Sequence, residues 1–180
     1  MDGSSRVAPP EGTEPQERRR PAGAGGALIV ALLAAAAPLL ARGTEGWFGL
    51  LPCELCLWQR VPYWAAAGAA LGAAFLVRGP GLLRAAGLAA AASGLIAAFH
   101  LGVEAGWWPS PLPGCRVVAT GGAASVEELM AALRPAPAKP CDEPAYLIPG
   151  LPLSMAAMNL IYAAALAVLA FALARRMRCA

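Results

Sequence analysis

Cys53 and Cys56 form a C-x-x-C motif and are the residues of this chain best suited to chemistry. This spacing is typical of thiol–disulfide oxidoreductases, because its surroundings can lower the pKa of one thiol. Two further cysteines, Cys115 and Cys141, stand 26 positions apart in a proline-rich segment. One pair lies beside a long apolar run and the other on a separate segment. This arrangement predicts electron transfer between thiols and an acceptor dissolved in a lipid bilayer.

Three interpretations compete for these four cysteines. Two structural disulfides are disfavoured, because the small ring closed by C-x-x-C stabilises a fold poorly. A four-cysteine zinc site usually needs two close pairs, whereas Cys115 and Cys141 are far apart, and neither predicted outer loop contains a histidine. Redox catalysis fits better. Cys56 stands near the start of a predicted helix, where the dipole stabilises a thiolate, and Arg60 follows one turn later on the same face.

The composition indicates a membrane protein. Apolar residues make up 58% of the 180 and charged residues 14%, against about 45–50% and about 25% in soluble domains. The net charge is only +3, and the sequence contains no basic stripe with interleaved aromatic residues. These two properties exclude a nucleic-acid-binding protein. Four stretches of about 20 apolar residues lie near 23–41, 57–77, 82–103 and 151–174. The sequence therefore predicts an all-α membrane protein, a bundle of four transmembrane helices packed through alanine and glycine.

The distribution of Lys and Arg predicts how the bundle is oriented. With a cytoplasmic N-terminus, nine of these residues fall on cytoplasmic segments and five on outer segments. Both termini are then cytoplasmic, and the outer loops are 42–56 and 104–150. The first span could instead be a cleaved signal peptide, but no good cleavage site follows Ala41.

The remaining segments are predicted to be peripheral. Residues 1–26 are rich in Pro, Gly, Glu and Arg, which predicts a disordered cytoplasmic tail. The membrane domain then covers 27–174, and a second cytoplasmic tail, 175–180, carries Cys179 as a free thiol. In the second loop, the capping box from Ser125 to Glu128 precedes apolar residues at helical spacing, which predicts a short surface helix.

Several polar side chains stand within the predicted spans. His100 and Glu104 are four residues apart near the outer end of the third span and could hydrogen-bond each other. Polar groups at membrane depth indicate function, although a polar pair at a helix end fits as well. Arg60 could be an interface anchor, with Gln59 an incidental neighbour. Asn159 is predicted to hydrogen-bond between helices.

Residues 52–60, with the sequence PCELCLWQR, resemble the P-C-x-L-C-x-x-Q-R signature of the bacterial disulfide bond formation protein B (DsbB) family. Further similarity follows at 99–104, 113–115, 141–143 and 153–159, so the resemblance covers about 27–174. It implies four spans in the bacterial inner membrane, with both cysteine loops in the periplasm.

The resemblance also implies an activity, that of a protein dithiol:quinone oxidoreductase. A reduced periplasmic thioredoxin-fold protein of the DsbA type would attack a Cys115–Cys141 disulfide at Cys115. Cys141 would then exchange with Cys53, and Cys56 would pass electrons to ubiquinone or menaquinone. By the same resemblance, four residues would lie at the quinone or cysteine site: Gln59, Arg60, His100 and Glu104.

From the resemblance we expect resting disulfides Cys53–Cys56 and Cys115–Cys141. We also expect no metal, no nucleic acid, and a monomer in contact with membrane lipid and the quinone pool. A protein resembling vitamin K epoxide reductase would carry its C-x-x-C late in the bundle, and here the motif follows the first span. The other alternative is a non-catalytic membrane scaffold or metal-binding protein that uses the outer cysteines as ligands.

Overall fold

The computed structural model describes residues 23–75, 79–112, 115, 139–148 and 150–179. Its regular structure within these ranges is four helices: α1 Ala24–Phe48, α2 Glu54–Phe75, α3 Gly79–Glu104 and α4 Met155–Cys179. The same ranges contain no strand, only one isolated antiparallel bridge between Tyr146 and Ser154. The all-helical prediction is confirmed for this part of the chain. The predicted surface helix after Ser125 and residues 1–22 of the predicted tail lie outside the described residues.

Three of the helices, α1, α3 and α4, are long and apolar enough to cross a membrane. The second helix, α2, has 22 residues and carries Gln59 and Arg60 near its start. It packs between α1 and α3. Its role as a fourth span stays a prediction.

The first helix is longer than predicted at its C-terminal end. It begins at Ala24, close to the predicted start of the span and inside the predicted tail 1–26, and it continues to Phe48, so residues 42–48 of the predicted loop 42–56 are helical. The hydroxyl of Thr44 donates to the carbonyl of Ala41, 2.8 Å away, which keeps this polar stretch helical. Gly49 then ends the helix at φ 63°, a left-handed conformation that glycine adopts readily. Only residues 49–53 connect α1 to α2.

Small side chains hold the bundle together at the end that carries Gly79, here called the alanine end. Alanines from all four helices are fully buried there, among them Ala27, Ala73 and Ala170. Gly87 of α3 faces Phe171 of α4 so closely that an added methyl would press on the ring. Without bulky groups between them, the backbones approach and gain close packing. The opposite end, which carries Cys53, is here called the cysteine end.

The start of α4 is tied to the end of α3 at the cysteine end. Ser154 caps α4, because its Oγ accepts the backbone N–H of Ala157 at 3.2 Å. The same hydroxyl donates to Glu104 Oε2 at 2.6 Å. The N–H of Met155 bonds the carbonyl of Ala145 at 2.8 Å, which anchors the preceding loop. These contacts hold the segment just before α4 beside the C-x-x-C motif, where Lys139, Glu143 and Ala145 line one cleft with Cys53 and Cys56.

Candidate active site

Cys53 occupies the cap position of α2, immediately before Glu54. Its Sγ accepts the backbone N–H of Cys56 at 3.3 Å, and the two sulfur atoms, both in free thiols, lie 2.8 Å apart. The hydrogen bond with the Cys56 side chain lowers the pKa of Cys53; burial opposes this shift, and backbone N–H groups at the helix start reinforce it. The sequence analysis placed the stabilised thiolate at Cys56. The structure gives the capping role to Cys53, because α2 begins one turn earlier than predicted.

Cys115 and Cys141 form a disulfide with Cα atoms 4.8 Å apart. Both are buried, and together with Cys53, Leu55 and Val103 they form one apolar cluster. The two cysteine pairs, far apart in sequence, therefore meet at one place. Of the two disulfides that the resemblance implies, the structure contains Cys115–Cys141, whereas the sulfur atoms of Cys53 and Cys56 lie 2.8 Å apart without a bond. The resting disulfide Cys53–Cys56 stays a prediction.

His100 stands between the two cysteine pairs. Its Nε2 lies 3.6 Å from Cys53 Sγ, 3.2 Å from the carbonyl oxygen of Cys141 and 3.9 Å from Glu104 Oε1. The side chain is only 3% exposed. The predicted proximity of His100 and Glu104 is thus present, and the histidine also reaches the thiols.

The position of His100 removes one objection to a metal site, namely that no histidine would lie near the cysteines. No histidine lies on the predicted outer loops, yet His100 reaches the motif from α3. Its ring and the sulfurs of Cys53 and Cys56 place three ligand atoms within 4.8 Å of one another. Such a set could hold a thiophilic metal ion.

Gln59 lies deeper in the bundle, behind the thiols. Its Nε2 is 3.0 Å from His100 Nδ1, and its Oε1 accepts a hydrogen bond from Asn159 Nδ2 at 2.8 Å. Asn159 Nδ2 also donates to Ser93 Oγ at 3.3 Å, and Tyr63 donates to Asn159 Oδ1 at 2.7 Å. The interhelical role predicted for Asn159 is present: it joins α4 to α2 and α3. Sequence reasoning missed Tyr63 and Ser93, which carry no motif.

Arg60 pairs with Glu45, which sequence reasoning also missed. The guanidinium of Arg60 contacts the carboxylate of Glu45 on α1, and the side chains are 16% and 22% exposed. A cation at the edge of a membrane is best tolerated beside an acidic partner. The available signal was the single carboxylate of α1, which lies near the end of that helix.

The family model described as "Disulfide bond formation protein DsbB" matches residues 24–173. This range contains both cysteine pairs, and in it lies nearly all of the four helices. The chain belongs to the DsbB family. No curated protein and no solved structure matches it. Membership in the DsbB family, together with the three apolar helices, identifies a multi-pass membrane oxidoreductase of disulfide bond formation.

Two clefts of this DsbB-family protein meet at Cys56, Arg60 and Met155. The first is also lined by Cys53, His100 and Glu104. The second lies between α1, α2 and α4 and adds the apolar groups of Ala37, Pro38 and Ala41, with Gln59 and Asn159. Mostly apolar walls with a few convergent polar groups suit a small hydrophobic cofactor with hydrogen-bond acceptors. The first cleft brings together five of the eight site residues predicted from sequence.

Proposed function

We propose that this DsbB-family protein is a dithiol:quinone oxidoreductase of the bacterial inner membrane. It reoxidises a periplasmic thioredoxin-fold dithiol protein of the DsbA type and passes the electrons to a membrane quinone. The observation that carries the proposal is the position of His100, whose Nε2 reaches both the Cys53 sulfur and the Cys141 carbonyl. Two redox pairs that meet at one histidine can exchange electrons without a large movement.

The thiol steps follow the ordinary chemistry of disulfide exchange. A thiolate of the reduced partner attacks Cys115, breaks the Cys115–Cys141 bond and releases Cys141 as a thiolate. Cys141 attacks Cys53 of a Cys53–Cys56 disulfide and frees the Cys56 thiolate. The partner's second thiolate displaces Cys115, which then displaces Cys53 and re-forms Cys115–Cys141. In sum, the partner loses two electrons and two protons, and Cys53 and Cys56 hold them as thiols.

The arrangement of the two cysteine pairs supports this sequence of steps. Cys53, Cys115 and Cys141 belong to one buried cluster, so the exchange between Cys141 and Cys53 joins groups that are already neighbours. Attack at Cys115 is supported by a cleft that opens onto this residue and is lined by Trp108 and other outer residues. Both cysteines are buried, and Cys115, which is 4% exposed, lies at the wall of this cleft.

The side chains that line the clefts beside Cys56 suit the chemistry of a quinone, because apolar groups stand there beside the Arg60 guanidinium. When bound, a quinone supplies the two-electron, two-proton acceptor that the side chains lack. Arg60 is placed to donate to an oxygen atom at the cleft wall, and Ala37 and Pro38 offer a flat apolar surface. Cys56 lines both clefts, whereas Cys53 lines the first and not the second, which favours Cys56 as the cysteine beside the quinone. The proposal includes α2 as the fourth span, cytoplasmic termini, periplasmic cysteine loops and a monomer.

The test is quinone reduction by the purified protein in detergent, with a reduced DsbA-type partner as electron donor and quinone absorbance as the readout. Cys56→Ser and Cys115→Ser should each reduce turnover to background, because each removes one end of the relay. Cys179→Ser is the matched control and should keep full turnover. Absence of turnover in the wild type, with both substrates supplied, would refute the proposal.

A second candidate function is binding of a metal ion by Cys53, Cys56 and His100. It is favoured by the three ligand atoms within 4.8 Å of one another. The discriminating measurement is the zinc content of the reduced protein purified without chelator. One zinc per chain, lost in Cys53→Ser and accompanied by no quinone turnover, would favour the metal function over the redox function.

A further inference from the structure

The polar side chains behind the thiols form one chain of hydrogen bonds in which every donor points the same way. It begins at Tyr63, whose hydroxyl donates to Asn159 Oδ1 at 2.7 Å. The Asn159 amide nitrogen donates to Gln59 Oε1 at 2.8 Å and to Ser93 Oγ at 3.3 Å. Ser93 in turn donates its own proton to the carbonyl of Gln59 at 2.7 Å. The amide nitrogen of Gln59 is thereby left to face His100 Nδ1 at 3.0 Å.

The hydrogen-bond partners of the two ring nitrogens of His100 indicate the same tautomer. An amide nitrogen can only donate, so Nδ1 must accept from Gln59 and carries no proton. On the other side, Nε2 lies 3.2 Å from the carbonyl oxygen of Cys141, which can only accept. The proton of the neutral ring is therefore on Nε2, which also lies 3.6 Å from Cys53 Sγ. Two independent partners thus agree on one tautomer.

The direction of the chain is not easily reversed. To turn the Gln59 oxygen toward His100, the Asn159 amide would have to rotate as well and present its nitrogen to the Tyr63 hydroxyl. The bonds that join Tyr63, Asn159, Gln59 and His100 would change donor at the same time, inside a buried region. The Asn159 oxygen would also face Ser93 Oγ, whose only proton goes to the Gln59 carbonyl. Buried polar networks of this kind are stable only when every member keeps a partner.

We infer that Gln59 and Asn159 hold His100 as the Nε2–H tautomer, so that this histidine acts as a hydrogen-bond donor to the Cys53 sulfur and the Cys141 carbonyl. Gln59 and Asn159 are then positioning residues that act through the histidine. Gln59 also lines the second cleft, so this positioning role stands beside the place at the quinone site that the resemblance implies for it. The benefit to thiol exchange rests on the proposed function: a donor beside Cys53 stabilises its sulfur as negative charge develops during exchange with Cys141. The tautomer itself does not rest on that function.

The test uses the fact that the chain contains a single histidine. In the full-length protein, labelled with ¹⁵N at histidine and held in detergent with Cys53 and Cys56 reduced, long-range ¹H–¹⁵N correlations report which ring nitrogen carries the proton. We expect Nε2–H in the wild type. Gln59→Glu replaces the donor by an acceptor and should place a proton on Nδ1. A wild-type ring protonated on Nδ1, or exchanging between both nitrogens, would overturn the inference.

The role of Asn159 is tested by a matched pair on α4. Asn159→Leu breaks the chain and should turn the single tautomer into an exchanging mixture. Tyr162→Phe removes a hydrogen bond of 2.8 Å from the same helix to the carbonyl of Leu33, outside the chain, and should leave both nitrogen resonances unchanged. If Asn159→Leu behaves like Tyr162→Phe, Asn159 does not set the tautomer and that part of the inference is wrong. Neither spectrum needs quinone or partner, so an inactive protein with the Nε2–H tautomer would refute only the proposed function.

Discussion

The cysteine end and the alanine end of this bundle are buried by opposite means. At the alanine end, fully buried positions such as Ala27, Ala86 and Ala174 carry only a methyl group. At the cysteine end, Gln59 and His100 are almost as completely buried, and each of their polar atoms that is hidden from solvent has a partner within the described residues. One end is held by close contact of small groups, the other by directed hydrogen bonds.

The difference shows where each kind of precision is needed. Methyl contacts are non-directional and tolerate small shifts, so they serve to hold helices together. Hydrogen bonds fix the orientation of a ring or an amide, which is what exchange between sulfur atoms requires. The bundle therefore has a structural end and a chemical end, and substitutions at the two ends should differ in kind as well as in size.

The largest effect in this comparison is expected on quinone turnover from substitution of Arg60, with Arg84 as its control. Arg60→Met removes the cation at both clefts and should lower quinone turnover by about 10²-fold, the usual effect of losing one charge-stabilising donor. Arg84→Met changes a cation of α3 near the alanine end and should leave turnover within about twofold of wild type, by the same argument. The measurement is kcat/KM for quinone with saturating reduced partner. Equal losses in both variants would break the distinction between the ends.

A smaller effect is expected on stability from Asn159→Leu. The substitution removes the acceptor of Tyr63 and the donor to Gln59, both buried. Stranded buried polar groups cost about 1–3 kcal/mol each, so we expect a loss of about 3 kcal/mol in the free energy of unfolding. SDS titration of the purified protein, followed by circular dichroism, measures it. A loss below about 0.5 kcal/mol would mean that directed bonds contribute little to holding this end.

The close packing at the alanine end is tested by placing leucine at Gly87, with leucine at Gly68 as the control. A side chain at Gly87 would meet Phe171 and Ala170 at 3.2–3.3 Å, so Gly87→Leu should destabilise by about 2 kcal/mol. Gly68 of α2 is exposed and has nothing within 4 Å of an added Cβ. Gly68→Leu should therefore be neutral or stabilise by up to about 1 kcal/mol through helix propensity. The same SDS titration decides, and the reverse order would contradict the packing described for α3 and α4.

The smallest effect concerns the acidity of Cys53. Its lowered pKa means that the thiolate persists to lower pH than for an ordinary cysteine. Alkylation of reduced protein by iodoacetamide, with the Cys53 peptide quantified by mass spectrometry, should therefore continue below the ordinary thiol pKa. Cys56→Ala removes the largest cause of the lowering and should move the alkylation profile to higher pH. An unchanged profile in Cys56→Ala would assign the effect to the backbone N–H groups alone.

The parts of the fold that follow from local pattern were predictable from sequence. Apolar runs located the four helices to within a few residues, apart from the C-terminal extension of α1, and the C-x-x-C motif with its flanking residues indicated the family. The spacing of His100 and Glu104 correctly predicted that they are neighbours. These features depend on residues that are close in the chain, where helical geometry alone sets the distance.

The contacts between helices were not predictable in the same way. Gln59 and His100 meet across 41 positions, and Glu45 meets Arg60 across the α1–α2 connection. Such contacts depend on how each helix is rotated about its axis, which is set by the packing of many alanines with nearly equal side chains. The capping role of Cys53 was missed because it depends on where α2 begins, and helix starts are the least certain part of a pattern-based prediction.

The ion pair between Glu45 and Arg60 also bears on how the chain enters the membrane during synthesis. α1 emerges first and carries the carboxylate near its end, and α2 follows after only residues 49–53. A lone charge at membrane depth is costly, whereas a paired carboxylate and guanidinium carry no net charge. In the proposed topology, in which α2 is the fourth span, entry of the two helices as one hairpin is therefore favoured over entry one at a time. The arginine then reaches its final depth already neutralised by its counter-ion.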